Sequence, residues 1–291
     1  MSVANQPSPL LLGEGGREAA WGEVPPTKHY LNPGAEPHQN FISLILLKTM
    51  LYLSLDTATP TQALAITRDH DVLFEAQIRP QTKEGPGLLS LVDAALKHCQ
   101  LKLEDIDRFV VSRGPGAFTG LRVSMAMLKS MALTLEKPLY AASSLEAIAK
   151  DALPSDAIVA AMIDARRGEL YVAFYDTQNG QMRALSEELL LKPEDFVAYV
   201  EHAFAGKTVV CVGPAFPTYT KKLQALCDKL IIRPAVIRAS ALAHLVHEKY
   251  GADDAPEIPL EALEPKYIRQ EDFALPKPFD FSNPGQFRHE S

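Results

Sequence analysis

The segment Ile163-Asp-Ala-Arg-Arg-Gly-Glu-Leu-Tyr-Val-Ala-Phe174 decides the fold, because it repeats a phrase found earlier in the chain. In it an apolar strand ends in an acid, a polar turn follows, and an alternating strand begins. Leu55-Asp56 stands in the same relation to the turn Thr57-Ala-Thr-Pro60 and to a second strand around Gln62 to Thr67. Working outward from each acid gives one plan twice. After the first acid, a third strand runs near Val72 to Ile78, and the helix-spaced set Leu88, Leu91, Val92, Ala95, Leu96 and Cys99 follows the breakers Gly85-Pro-Gly87. Arg108 to Ser112 reads as a buried strand, Leu121 to Leu135 as a helix, Leu139 to Ala142 as a fifth strand and Ser144 to Lys150 as a short helix. After Pro154 the order returns, with strands near Ala157 to Asp164, Glu169 to Tyr175 and Ala184 to Leu191, then a helix at Pro193 to Phe204. A strand at Val209 to Val212, a helix containing Tyr219 to Leu226, a short strand at Leu230 to Arg233 and a helix at Ser240 to Tyr250 complete it.

Two strand-strand-strand-helix-strand-helix units in tandem resemble the topology of the actin and sugar-kinase group. The expected fold class is therefore α/β, two tandem ribonuclease-H-like lobes of the actin-like ATPase superfamily, at residues 50–153 and 154–270. Residues 1–49 are rich in Pro, Gly, Ser and polar side chains without a helix or strand period, and are expected to be a disordered leader or a misassigned start. A regular strand begins directly after Met50, so a chain beginning there is expected to fold and function. Residues 271–291, with scattered Pro and Phe and no period, are expected to be a flexible tail. Such a fold carries many functions, so function has to come from the sites.

Composition narrows the classes. The 291 residues are 47% hydrophobic and 22% charged, as in ordinary globular proteins, and the formal charge of −7 lacks the basic footprint by which a protein holds a phosphate backbone alone. Any nucleic-acid contact is expected to lean on a partner. Cys99, Cys211 and Cys227 form no CxxC pair and stand at no zinc spacing, which excludes a disulfide framework and fits a cytoplasmic protein. The apolar run Phe41 to Leu47 is cut off by Lys48 well short of a membrane span, and acidic Glu14, Glu18 and Glu23 precede it, so no membrane association is expected.

The densest local signal is Ser112-Arg-Gly-Pro-Gly-Ala-Phe-Thr-Gly-Leu-Arg122, three glycines and a proline between a buried strand and a helix. Arg113, Gly114, Pro115, Gly116, Phe118, Thr119 and Gly120 form a loop built for close approach. Two readings stand: free N–H groups at the helix start hold a phosphate, or the loop is a structural turn with Thr119 as cap and Phe118 packed between lobes or on a partner. Neither a Walker lysine nor a GxGxxG order is present.

Together, Leu53-Ser-Leu-Asp-Thr-Ala58, Arg113-Gly-Pro-Gly-Ala-Phe-Thr-Gly120, Ile163-Asp-Ala-Arg-Arg-Gly-Glu-Leu-Tyr171 and Glu264-Pro-Lys-Tyr-Ile-Arg269 resemble the successive signatures of the TsaB family, also called YeaZ. The resemblance covers roughly Met50 to Arg269. It implies a non-catalytic scaffold for TsaD, the subunit that transfers threonylcarbamoyl to the adenosine beside the tRNA anticodon, with the ATPase TsaE as third component. It also implies a homodimer when TsaD is absent, and contact with tRNA only through the complex. The stretch Thr82-Lys-Glu-Gly-Pro-Gly87 departs from the family, many of whose members carry a histidine there.

In the actin-like architecture the acid ending each lobe's first strand faces the cleft, so Asp56, with Thr57, and Asp164 are the candidate nucleotide and Mg²⁺ residues. The turns after them hold a single glycine between them, so the cleft reads as degenerate: no cofactor is required, weak ATP or ADP binding is allowed and hydrolysis is not expected. The competing reading has both acids capping turns. Arg113, Arg122, Arg166 and Arg167 form a basic rim or pair with neighbouring carboxylates. His244 and His247, one turn apart, lack a third ligand and read as solvated surface; His98 reads as packing or surface. Neither Ser112 nor Ser124 lies in a nucleophile motif. Finally, the helix Leu121 to Leu135 is apolar around much of its circumference, and the resemblance implies that it and the helix from Leu88 pair with TsaD. Leu88, Leu91, Ala95, Met125, Leu128 and Met131 are the expected interface, with lobe core as the other reading. The alternative function is an actin-like-fold ATP-dependent kinase or hydrolase.

Overall fold

The computed structural model describes residues 49–80, 87–153, 157–251, 256 and 258–269, all within one compact unit. The expectations for the leader, for Thr82 to Pro86 and for the tail fall outside the described residues. The first sheet contains β1 (Leu51–Asp56), β2 (Gln62–Arg68), β3 (Asp71–Ile78), β4 (Arg108–Ser112) and β5 (Leu139–Ala142) in the order β3-β2-β1-β4-β5. Only the hairpins β1–β2 and β2–β3 are antiparallel; β4 and β5 run parallel to β1. Between the strands come α1 (Leu88–Cys99), α2 (Phe118–Leu135) and, after β5, α3 (Ser144–Asp151).

The second sheet repeats this order with β6 (Ile158–Arg166), β7 (Glu169–Asp176), β8 (Arg183–Ala184), β10 (Val209–Gly213) and β11 (Ile231–Pro234), arranged β11-β10-β6-β7-β8. Its helices are α4 (Pro193–Ala203), α5 (Phe216–Leu226) and α6 (Ala239–Tyr250). The third strand of this unit, expected to run unbroken from Ala184 to Leu191, is split: β9 (Leu189–Leu191) pairs separately with β7. Between the pieces the Ser186 hydroxyl accepts the Phe174 N–H at 3.0 Å, so a side chain replaces one rung of the ladder.

β1 lies between helices on both faces, which is why it reads as a nearly continuous buried run. Its period of two divides the core: Leu53 and Leu55 point to α1 and α2, while Tyr52 joins a central cluster. That central cluster arises from an exchange of helices. α3, which follows the first sheet, packs on β6 and β7 of the second, and α6, which follows the second sheet, packs on β1 and β2 of the first. The two helices also pack on each other, so Ile148 and Leu242 are fully buried between the sheets. On the far side of the second sheet, α4 and α5 cover Phe174 with Phe196 and Phe216.

The residues expected at a partner interface belong to this interior. Leu88, Leu91, Ala95, Met125 and Leu128 are buried in the cluster between α1, α2 and the first sheet, and Met131 is partly buried against it. The reason is phase: these positions share the helix sides that face the sheet, and one lobe does bury them. The opposite sides carry other apolar residues, Leu89 on α1 and Val123 and Leu133 on α2, at 63%, 52% and 69% exposed.

α6 has no cap of its own at Arg238 and no acid in its first turn. Glu75 on β3 supplies one, accepting the Ser240 N–H at 3.0 Å and the Ser240 hydroxyl at 2.8 Å while pairing with Arg238 at 2.5 Å. A carboxylate from the first lobe thus sits at the positive end of the helix delivered by the second. Glu75→Ala is expected to lower the free energy of unfolding by about 2 kcal/mol. Glu75→Gln keeps the acceptors for Ser240 and should lose about half as much; urea titration of the three chains reads the difference.

Candidate functional site

The glycine-rich loop lands on the turn after β1, and its close approaches are to the chain's own backbone. A Cβ at Gly116 would lie 2.4 Å from the Ala58 carbonyl oxygen, and one at Gly120 would lie 2.1 Å from that of Thr57. Hydrogen bonds fasten the contact. The Ala117 N–H donates to the Ala58 carbonyl at 2.7 Å, and the Thr57 hydroxyl donates to the Gly120 carbonyl at 2.7 Å. α2 begins at Phe118 rather than Leu121, with Ala117 in the cap position and no side-chain cap, so Thr119 lies inside the first turn and does not cap it. The glycines thus serve contact with the β1 turn, and Gly116, Ala117 and Gly120 line the cleft beside it.

Asp56 is fully buried and does not face the cleft. It accepts the Ala58 N–H at 3.0 Å and the Ser144 hydroxyl at 3.0 Å, capping the turn and tying it to the start of α3. Burial pushes its carboxyl above the ordinary value, against the pull of those bonds. Asp164 also caps its turn, accepting the Arg166 N–H at 2.8 Å, with the Tyr219 hydroxyl 3.1 Å away and Arg166 paired at 3.3 Å. Of the three cofactor candidates, Thr57 and Asp164 line a cleft of about 340 Å³ between the sheets, together with Thr59, Arg79, Arg166 and Tyr171.

A role that sequence reasoning missed belongs to the segment Glu264 to Arg269. The Lys266 N–H donates to the Arg113 carbonyl at 2.7 Å, and Tyr267 lies on Phe118 with ring centres 4.9 Å apart. Arg122 stacks 3.9 Å over the Phe118 ring and donates to the Tyr267 hydroxyl at 3.0 Å. Arg269 then reaches the second lobe, donating to the Ala165 carbonyl at 2.9 Å and pairing with Glu169 at 2.5 Å. Phe118 therefore packs on the chain's own C-terminal strap. The four signature segments converge on this junction. Of the four arginines expected as a basic rim, Arg122 is stacked on Phe118, Arg166 is paired with Asp164, Arg113 lines a different cavity and Arg167 is exposed.

The histidines depart from a solvated surface as well. His247 Nδ1 lies 3.0 Å from the Tyr52 hydroxyl, His244 Nε2 is buried, and exposed His70 from the β2–β3 turn joins both, with ring centres 4.6 and 5.5 Å away. Exposed His98 lies against Phe74. Among the described residues no group of three or more His, Cys, Asp or Glu side chains is arranged to hold a metal ion, and no helix is long and apolar enough to cross a membrane.

Burial, then the neighbouring His70, holds His244 and His247 below the ordinary 6.5, although Asp69 and Glu248 pull the other way; Arg108 faces His247 and Lys150 faces His244. The unfolded chain therefore binds more protons than the folded one from about pH 6.5 down through the lowered values. Stability is expected to fall as pH drops through that window, and His244→Asn with His247→Asn to flatten the loss between pH 7.5 and 5.5. Urea midpoints at the two pH values check it.

Two sheets of one strand order, each followed by a helix that crosses to the other, with a cleft where their first strands end, define a two-lobed protein of the actin-like class. Residues 87–270 match the family model described as TsaD, tRNA N6-adenosine threonylcarbamoyltransferase. The chain is 34% identical over 225 residues to the "tRNA threonylcarbamoyladenosine biosynthesis protein TsaB" of Escherichia coli, covering 76% of this chain and 95% of that protein. It is 27% identical over 224 residues to the protein of the same description from Bacillus subtilis, covering 76% and 94%. The solved structure of YeaZ from Pseudomonas aeruginosa superposes with a TM-score of 0.62 at 26% identity, covering 75% of this chain and all of that one. The chain belongs to the TsaB (YeaZ) family.

Proposed function

We propose that the protein is a non-catalytic scaffold that binds and supports TsaD in forming N6-threonylcarbamoyladenosine next to the tRNA anticodon. The observation that carries this reading is the placement of exposed apolar surface. Among the described residues the three most exposed large aliphatic side chains, Leu133, Leu89 and Val123, all lie on α1 and α2, the two helices over the outer face of the first sheet. Apolar side chains left in water on adjoining helices suit a protein partner. The packing of Gly116 and Gly120 against the β1 turn supports the non-catalytic part, because it gives these glycines a structural use.

In this reading TsaD covers the helices, a second copy covers them when TsaD is absent, TsaE joins the assembled pair in the cytoplasm, and tRNA is met only through the complex. The test is reconstitution. TsaD and TsaE should form the modified nucleoside on tRNA only when this chain is added, and the isolated chain should turn over no ATP. Product formation without it, or turnover by it, overturns the proposal. The cleft holding Thr57, Asp164 and Arg166 keeps an actin-like kinase or hydrolase as second reading, and turnover abolished by Asp164→Asn would establish it.

A further inference from the structure

Away from the interlobe cleft lies a larger cavity of about 650 Å³, bounded by the end of β5, α3, the C-terminal half of α6 and the segment near Leu263. Its volume is in the range of small-molecule sites, roughly 300–1,000 Å³. Met182, Leu245, Tyr250 and Leu263 give it apolar walls. Its charges divide into satisfied and unsatisfied. Lys150 pairs with Glu248 at 2.6 Å, and Lys249 sits 5.2 Å over the Tyr250 ring. Arg113 and Glu146 remain. Among the described residues the Arg113 guanidinium has no hydrogen bond or ion pair and its Nε is buried, and the Glu146 carboxylate has none either.

Arg113 is held there by its main chain. Its N–H donates to the Ala142 carbonyl at 2.9 Å and its carbonyl accepts from Lys266 at 2.7 Å, so its backbone is fixed at the cavity wall. Both charges also face the hydroxyl of buried Tyr175, whose pKa is raised by burial and then by the carboxylates of Glu146 and Glu188, with Arg113 pulling it down. A guanidinium without acceptors gains when an anion supplies them. A guanidinium presents two parallel N–H groups, the geometry that takes a carboxylate or phosphate side-on.

We propose that this cavity binds a small organic anion with an apolar body, its charged group paired to Arg113 and its body against Met182, Leu245 and Tyr250. Glu146 opposes a second negative charge, so a monocarboxylate binds better than a phosphate monoester of the same size. The site is separate from the partner-facing helices, and its test does not depend on TsaD.

The experiment follows the Met182 methyl signal in ¹³C-methionine-labelled full-length chain during titration with benzoate, phenyl phosphate and inorganic phosphate. Benzoate should shift Met182 saturably, phenyl phosphate should bind more weakly, and inorganic phosphate should not saturate. Arg113→Gln should weaken benzoate about tenfold or more, while Glu146→Gln should keep benzoate and tighten phenyl phosphate. The ligand-free melting point supplies an independent arm. Arg113→Met should hold or raise it, because a guanidinium without acceptors is removed, whereas a guanidinium that braces the fold would lower it. The proposal is overturned if neither organic probe saturates the Met182 shift, if Arg113→Gln binds benzoate as the parent does, if inorganic phosphate binds as well as benzoate, or if Arg113→Met melts lower.

Discussion

Val123→Glu and Leu133→Glu, introduced together, are expected to weaken binding to TsaD about a hundredfold or more while leaving the unfolding free energy of the isolated chain within about 1 kcal/mol of the parent. Both side chains stand in water, at 52% and 69% exposed, so new carboxylates there cost the free chain little. In a covered interface each carboxylate would be desolvated without a partner, and that penalty is what abolishes binding. Leu128→Glu is the contrast. Leu128 is fully buried between α2 and the first sheet, and a carboxylate there should remove cooperative unfolding altogether. Calorimetric titration with TsaD, beside urea unfolding of each chain, separates the two outcomes. Full affinity in the double variant would mean that TsaD docks elsewhere.

The second large effect is expected at the loop. Gly120→Ala places a methyl 2.1 Å from the Thr57 carbonyl oxygen and 3.2 Å from its carbon. Neither side can yield easily, because Ala117 is bonded to Ala58 and the Thr57 hydroxyl to Gly120 itself. α2 must lift from β1, and a loss of about 3–5 kcal/mol is expected. Gly168→Ala is the calibrating variant. There the φ of +80° is strained for alanine, but nothing lies within 4 Å of the added carbon, so only about 1 kcal/mol should be lost. Urea unfolding measures both; similar losses at the two sites would mean that the crowding at Gly120 is relieved by a small shift.

The strands were legible because a period of two and a buried run survive any tertiary context: Leu51 to Asp56 and its echo at Asp164 place both first strands, and β1 stops at its acid while β6 runs two residues past Asp164 to Arg166. The phase of α2 was not. Arg122, Lys129, Ser130 and Thr134 share one side of it, but exposed Val123 and Leu133 fall among them, so apolar residues run round the helix and blur which side meets the sheet. His70 could not be joined to His244 and His247 for a related reason, since the turn and α6 lie far apart in the chain and meet through the helix exchange. The glycine loop could be recognised as a place of close approach, but what approaches it, the turn at Thr57 and Ala58, comes from another element. Likewise Tyr267 and Arg269 stood in a visible motif whose work, strapping Phe118 to the β6–β7 turn, depends on three segments at once.

The exchange of α3 and α6 also sets an order of events on the ribosome. The first sheet is complete once Ala142 has been made, yet the helix that covers Tyr52, Ala63 and Ala65 begins only at Ala239. At bacterial and eukaryotic elongation rates that interval lasts about 5–20 s. Through it the nascent chain shows an uncovered apolar sheet face, long enough for a chaperone to find it, and the first lobe finishes folding only after the second has been synthesised.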